Sequence, residues 1–466
     1  MRIRKVKTAS GSTAVQVVKY SNYKTSVLKH IGNAKTIPNI SSLENLAQDW
    51  ISQTSKQINM FPNNNEENNT LLNKYKYLGF EYRFAYEVIN NVFSILGLDK
   101  LNYKNSRMFL DLSLLRVINP LSKRKSIKLL SSSFGINYNL SELYRSLPEF
   151  PKFKDLIENK LVAFAKNQLN FNFSFVLYDI TTLYFETFTD DDFRKRGFSK
   201  DNKIGQPQIL VGLIVSKDGF PLSFAVFEGS KFEGHTLIPT ILDFKEKHKI
   251  TTLTVVADAG MISKENITAL KQNGLSYIVG ARLGNNKPST ITQINQNLNF
   301  IDGATTRLKT NSGFLVCSFS SKRYSKDKHI SYYLNNRLVE KTKLLLGIKG
   351  YHTDLTLPDK LIIERYSDLW NVEKAFRISK SDISIRPIYH FRKQAIMAHI
   401  LICTTALAVL KFMEIKTGKS AKYVVDSLKS VTDGRMLNTV TNKEFRMRSQ
   451  VTEDTKRLLN EMGITH

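Results

Sequence analysis

The sequence predicts an α/β protein, and three observations carry that prediction. Between residues 165 and 282, apolar runs of strand length alternate with stretches of helical period. Their order is three strands, helix, strand, helix, strand, which is the order of an α/β core. Two of the runs end in a carboxylate, Asp179 and Asp258, at the place where catalytic groups of open sheets gather.

Residues 1–58 form a first region. Arg2 to Thr36 reads as short strands with turns at Gly11-Ser12 and Gly32-Asn33, and Ser41 to Gln57 as a helix with Ser41 as N-cap. The Asn-rich run 59–73 reads as a linker or exposed loop. Residues 75–150 have helical period in Phe80 to Leu98 and Ser106 to Ile118. A basic segment from Ser122, a break at Phe134-Gly135 and Ser141 to Leu147 follow. Helix, glycine turn and helix suit a helix-turn-helix DNA-binding module, and equally an ordinary helical hairpin.

The core at 165–282 opens with Phe173 to Asp179. Gln208 to Val215 and Phe220 to Phe227 are joined by the hairpin turn Ser216 to Gly219. A helix His235 to Lys247, a strand Thr252 to Asp258, a helix Ser263 to Asn273 and a strand Tyr277 to Gly280 complete it. Residues 283–361 are turn-rich with strand-like runs such as Phe314 to Phe319, so a mainly β insertion is expected. The core resumes over 362–413, with helical period from Ile363 to Lys380 and an apolar helix from Gln394 to Phe412. Its most apolar stretch, Ile400 to Leu410, is too short to span a bilayer and reads as buried. Residues 414–466 are basic, helical in places and without a readable motif.

Hydrophobic content of 42% and charged content of 23% are ordinary for a globular protein, whereas the net charge of +27 is not. Such an excess repels itself unless a polyanion offsets it, which points to nucleic acid, with a Lys-favouring proteome as the alternative. Cys317 and Cys403 lie in apolar stretches, which excludes a disulfide framework and a cysteine zinc site and suits a reducing cytoplasm. Met1 to Lys7 is basic with no apolar region after it, so no signal peptide is expected and the location is expected to be cytoplasmic. His235, His390 and His399 fit no common zinc spacing; His235 reads as a helix start and His399 as a satisfied core residue.

Each aspartate alone is explained as readily by a turn or a helix cap. A third carboxylate narrows the choice. Glu373, Arg377 and Lys380 are spaced by four and three residues and share a helix face, which Tyr366 joins from seven residues before Glu373. An ion-paired face would explain this. A carboxylate that binds metal, beside cations that hold phosphate oxygens, would also explain it.

These residues resemble the DDE transposases of bacterial insertion sequences, in the branch marked by Tyr-x2-Arg-x3-Glu-x6-Lys. Tyr366, Glu373 and Lys380 match at the right spacing, while Leu369 stands where the Arg belongs, leaving Arg365 or Arg377 to supply that cation. Tyr178-Asp179-Ile-Thr-Thr and Ala257-Asp258-Ala-Gly-Met resemble the two Asp motifs, and Arg386-Pro-Ile-Tyr-His390 resembles a run that follows the Glu helix in one subfamily. The resemblance covers about Phe171 to Phe412. It implies a ribonuclease H-like fold, a mixed five-stranded sheet with helices on both faces and a β insertion before the Glu helix.

The implied activity is cleavage at transposon ends and strand transfer into target DNA, with two Mg²⁺ or Mn²⁺ ions. Asp179 would bridge both ions, with Asp258 on one and Glu373 on the other. Tyr366, Arg377 and Lys380 would orient phosphate. The implied partners are transposon-end inverted-repeat DNA and target DNA, bound by a homodimer on paired ends at a bacterial nucleoid. A hairpin intermediate rests on resemblance alone. A nuclease without strand transfer, a DNA-binding regulator using Ser122 to Leu147, and an inactive relic remain alternatives.

Overall fold

The computed structural model describes residues 1–21, 24–54, 74–197, 205–261, 263–331 and 342–465, so the Asn-rich run 59–73 lies outside the described residues. The chain forms two compact units, Met1–Lys74 and Tyr75–His466.

In the smaller unit, β1 (Arg2–Lys7), β2 (Thr13–Ser21) and β3 (Lys24–Ala34) pair as an antiparallel sheet. Val15 and Val17 of β2 are fully buried with Ala47 of the helix Ile37–Thr54. That helix starts at Ile37, so Ser41 lies inside it and does not cap it. Pro38 sits in the first turn, where a missing N–H costs nothing.

The larger unit is built on one mixed sheet. Its strands are β5 (Phe175–Tyr184), β6 (Gln208–Val215), β7 (Pro221–Glu228), β8 (Leu253–Ala257) and β9 (Leu275–Ala281), then β10 (Thr305–Thr310), β11 (Gly313–Phe319) and β12 (Ile348–Thr353). The order is β10-β11-β12-β9-β8-β5-β6-β7. β8 runs parallel to β5 and β9, and the remaining neighbours are antiparallel. All eight residues of β6 are buried, which requires cover on both faces and explains its unbroken apolar run.

The five expected strands are present, but the sheet has eight. The insertion does not stand apart: β12 pairs along β9 and so protects what would otherwise be an open edge. It is also less β-rich than expected, since it carries the helices Pro288–Asn297 and Ser321–Ser331. Ile291 and Ile294 bury one face of the first at helical spacing. Leu283, Ile294, Leu315, Cys317 and Phe319 form a separate small core there.

The helix Lys393–Thr417 has the length and composition of a membrane span, yet 89% of its most apolar window is buried inside the protein. It is the central core helix. The helical region ahead of the sheet contains Arg83–Ile95, Ser106–Ile118, Lys123–Phe134 and Leu140–Ser146. Ser122 caps the third by accepting from the Lys125 N–H, and Gly135 closes it at φ 67°, as the sequence signals. Leu130 and Leu143 of this hairpin join the hydrophobic core that includes β5 and the central helix. The helix expected from Phe80 begins at Arg83, because β4 (Tyr75–Glu81) is a strand. β4 pairs with β13 (Asp433–Asn438), which pairs with β14 (Lys443–Arg448), so the motif-less tail closes a sheet with the start of the unit.

Candidate active site

Asp179 is not at a strand end, as the sequence suggests. β5 continues to Tyr184, paired with β6 along its full remaining length. On its other side, however, the partner β8 stops at Ala257. Tyr178 stands opposite Ala257 in the parallel register, so the next position sets Asp179 beside Asp258. Adjacent strands lie about 4.8 Å apart, so the two carboxylates leave neighbouring backbones where the sheet opens. Asp179 is half-buried and Asp258 exposed.

Tyr366 reaches this place from the helix Asp359–Ser367, and its hydroxyl donates to Asp258 Oδ1 at 3.1 Å. Burial and the neighbouring Asp258 push the Tyr366 phenol pKa up, so it remains a donor at neutral pH. Its approach depends on Gly280 in β9, where a Cβ would lie 2.5 Å from the Tyr366 oxygen. A Cβ on Gly260 would lie 3.7 Å from Asp258 Oδ2 and 4.0 Å from Arg282 Nη2, so that cation faces the same small space.

The helical face expected to run unbroken from Tyr366 to Lys380 is interrupted. One helix ends at Ser367, Asp368 and Leu369 form a turn, and a second runs Trp370–Ser381. The Leu369 and Val372 amides bond three residues back instead of four, which tightens the path at that point. Leu369 is 5% exposed and part of the hydrophobic core, so the residue at the motif's Arg position is an apolar packing residue. Arg365 stacks over the Phe175 ring at 4.5 Å. Phe175 begins β5, four residues and roughly 13 Å of strand before Asp179. Arg377 instead lines a groove of about 450 Å³ with Glu373, Lys380 and Arg386. Among the described residues no ion pair joins Glu373 to Arg377.

Sequence reasoning missed the contribution of the insertion. Lys349 of β12 lies over the Tyr366 ring at 4.6 Å, and Tyr351 meets that ring edge-on at 4.9 Å. Burial, with Arg323 nearby, lowers the Lys349 pKa, while Asp258 and Glu373 oppose that shift. Tyr366 and Lys349 thus each feel both Asp258 and Glu373. Lys349 and Tyr351 also line a cavity of about 640 Å³ with Lys322, Arg323, Lys326 and Lys360. An isolated Lys in a short strand carries no sequence signal, so the sheet extension had to be seen for these residues to be found.

Among the described residues no three His, Cys, Asp or Glu side chains stand close enough to share one ion. The chemistry of the donor set, carboxylate oxygens only, fits a hard divalent cation. A family model described as the transposase DDE domain matches residues 172–409, just over half of the chain. The chain belongs to the DDE transposase family. The matched span of this transposase begins just before β5 and ends in the central helix, so it contains all three carboxylates. No curated protein sequence matches it.

Among solved structures, the transposase is similar to the piggyBac transposase in a synaptic complex with hairpin DNA. That match has 12% identity and a TM-score of 0.40, over 75% of this chain and 70% of the other. A Mos1 transposase paired-end complex with the left transposon end matches at 12% identity and a TM-score of 0.17, over 52% and 68% of the two chains. The Mos1 strand transfer complex matches at 11% identity and a TM-score of 0.17, over 52% and 67%.

Proposed function

We propose that this transposase cuts DNA at transposon ends and joins the freed strand to target DNA, with Asp179, Asp258 and Glu373 as its catalytic carboxylates. The observation that carries the reading is the register of β5 and β8, which sets Asp179 beside Asp258 where the sheet opens. Tyr366 then holds Asp258 from the helix that precedes the Glu373 helix. The set β7-β6-β5-β8-β9 agrees with the mixed five-stranded sheet of a ribonuclease H-like fold.

Asp179, Asp258 and Glu373 would hold Mg²⁺ or Mn²⁺, in two ions if the family pattern holds. Such ions supply charge stabilisation at the phosphorus and activation of the attacking oxygen. The protein's own groups would do the rest. Tyr366 fixes one oxygen of Asp258 and so sets which way the carboxylate faces. Arg377 and Lys380, on the groove with Glu373, would hold non-bridging phosphate oxygens, with Arg377 in place of the motif Arg. Lys322, Arg323 and Lys326 of the insertion would receive the adjacent backbone. The expected partners are transposon-end and target DNA, bound by a homodimer, in the bacterial cytoplasm.

The test is nicking of a duplex carrying the flanking element ends, with Mg²⁺, followed by joining to a target plasmid. Wild type is expected to nick and join, and Glu373→Gln to do neither. Equal nicking by Glu373→Gln would remove Glu373 from the site. Nicking without joining would reduce the activity to that of a nuclease.

A further inference from the structure

Among its described residues, the larger unit buries eight ionisable side chains other than His, Cys and Tyr: Glu81, Asp111, Arg116, Lys123, Glu158, Arg194, Lys411 and Asp433. Six have a partner of opposite charge within reach. Lys411 meets Glu414 at 2.6 Å, Glu158 meets Lys154 at 2.8 Å and Asp111 meets Arg107 at 2.8 Å. Arg194 meets Asp191 at 2.8 Å, Asp433 meets Arg448 at 2.9 Å and Glu81 meets Arg446 at 3.1 Å. Arg116 and Lys123 are 7% and 5% exposed, and among the described residues neither has such a partner. They are near each other, which makes the omission costlier.

What they do contact is neutral. Lys123 Nζ lies 3.2 Å from His399 Nδ1, and His399 Nε2 lies 2.7 Å from the Ile385 carbonyl. Nε2 therefore carries the proton and donates, leaving Nδ1 to accept from Lys123. Arg116 donates to the Ser384 and Ile383 carbonyls at 3.1 and 3.3 Å. Both cations line a cavity of about 580 Å³ that also takes in Arg124, Lys125, Arg386 and His390, and no carboxylate is among its lining residues. The cavity sits at the N-terminus of the helix Lys123–Phe134, whose first turn holds Lys, Arg and Lys with no acidic residue. Cations there oppose the helix dipole, whereas an anion is favoured. Burial and Arg116 bring the Lys123 pKa down to about 7, and burial and Lys123 bring that of His390 to about 4, as expected of a cationic pocket without a counter-charge. Arg386 lines both this cavity and the Glu373 groove.

We propose that the Arg116–Lys123 pocket binds one backbone phosphate of the transposon-end DNA, as an anchoring site that shares Arg386 with the Glu373 groove. The proposal rests on the reading of the chain as a transposase that acts on DNA ends. A deeply buried lysine whose hydrogen-bond partner is a neutral imidazole and whose charged neighbours are cations is a burden on the free protein, and a phosphate oxygen is the partner that its position, the helix end and those cations all select.

The experiment uses the full chain, with Lys123→Met and the double variant Arg124→Ala/Lys125→Ala. Affinity for a transposon-end duplex is measured against salt without divalent metal, and melting temperature without DNA. Lys123→Met is expected to bind all duplexes more weakly, with a salt slope smaller by about one phosphate contact. It is also expected to melt at or above the wild-type temperature, since Met fills the site without the charge. The double variant, altered at exposed residues, is expected to lose slope and keep its stability. Inorganic phosphate at constant ionic strength is expected to raise the melting temperature of wild type and not of Lys123→Met. Wild-type slope in both variants would overturn the proposal. If phosphate stabilised wild type while Lys123→Met kept the wild-type slope, the pocket would be a free-phosphate site and the DNA assignment would fall. Glu373→Gln binding the duplex normally without cutting separates this outcome from a failure of the transposase reading, which would show as no binding by wild type at all.

Discussion

Two charged regions of the larger unit are built on opposite plans. The proposed carboxylate site puts its charges in the open: Asp258 and Glu373 are exposed and Asp179 half-buried, with the two aspartates at the place where β8 stops and β5 continues. The cationic pocket hides its charges: Arg116 and Lys123 are buried, 7% and 5% exposed, under the end of a helix. Exposed carboxylates cost the fold little and can await a cation. Buried lysine costs the fold a great deal, so its presence is the stronger statement about a ligand, even though it belongs to no motif.

The largest expected effect breaks the acidic side. Asp258→Asn is expected to lower end cleavage by more than the about 10- to 100-fold seen when a group that merely orients a ligand is lost. Tyr366→Phe tests that lesser case directly. The phenol donates one hydrogen bond to Asp258, so its loss is expected to cost activity in that about 10- to 100-fold range and stability only about 1 kcal/mol. A kinetic assay together with a denaturation midpoint checks both halves, and wild-type cleavage by Tyr366→Phe would take Tyr366 out of the site.

How much of this was legible depends on the kind of residue. Asp179, Asp258 and Glu373 are polar residues at positions that a motif fixes, and strand and helix period places them on the right elements. What period does not report is which neighbour stops first. Asp179 reads as a strand end, yet it is the end of β8, a different segment, that opens the sheet beside it. Of the insertion's strands only Phe314 to Phe319 is named from the sequence, and the joining of the insertion to β9 is a long-range pairing with no local signature. Lys123 reads as one of many basic residues at a helix start. In the fold it is buried and meets His399, 276 positions away in the chain, a contact that only tertiary packing reveals.

The cationic side is sharpened by pH. Lys123 has its folded pKa lowered from 10.5 to about 7 by burial and Arg116. Arg116 and Cys403 act on it directly and His390 on its partner His399, while Arg124, Lys125, Tyr144, Arg386 and Tyr389 are the other titratable residues that line the cavity. Between about pH 7 and 10.5 the unfolded chain holds this proton and the folded one releases it, so DNA-free stability is expected to rise with pH across that window. Below pH 7 this contribution is flat, at an order of a few kcal/mol of destabilisation. Melting temperature against pH should show the rise in wild type and lose it in Lys123→Met. A rise of equal size in both would place the titrating group elsewhere.

The smallest expected effect decides between two cations. With Leu369 buried at the motif's Arg position, Arg365 and Arg377 are the two candidates for the phosphate contact that the proposed function requires. Arg365 rests on the Phe175 ring and lies 3.5 Å from Asp368, at the end of β5 away from Asp179. Arg365→Ala should therefore remove a cation–π contact worth about 0.5–1 kcal/mol of stability and leave nicking unchanged. Arg377→Ala should leave stability unchanged, since the side chain is exposed, and slow nicking through weaker hold on phosphate. The two variants, compared by melting temperature and by single-turnover nicking, give opposite patterns on this reading. If Arg365→Ala were the slower enzyme, the phosphate would have to lie along Phe175, and the groove of Glu373, Arg377 and Lys380 would lose its claim to the reacting strand.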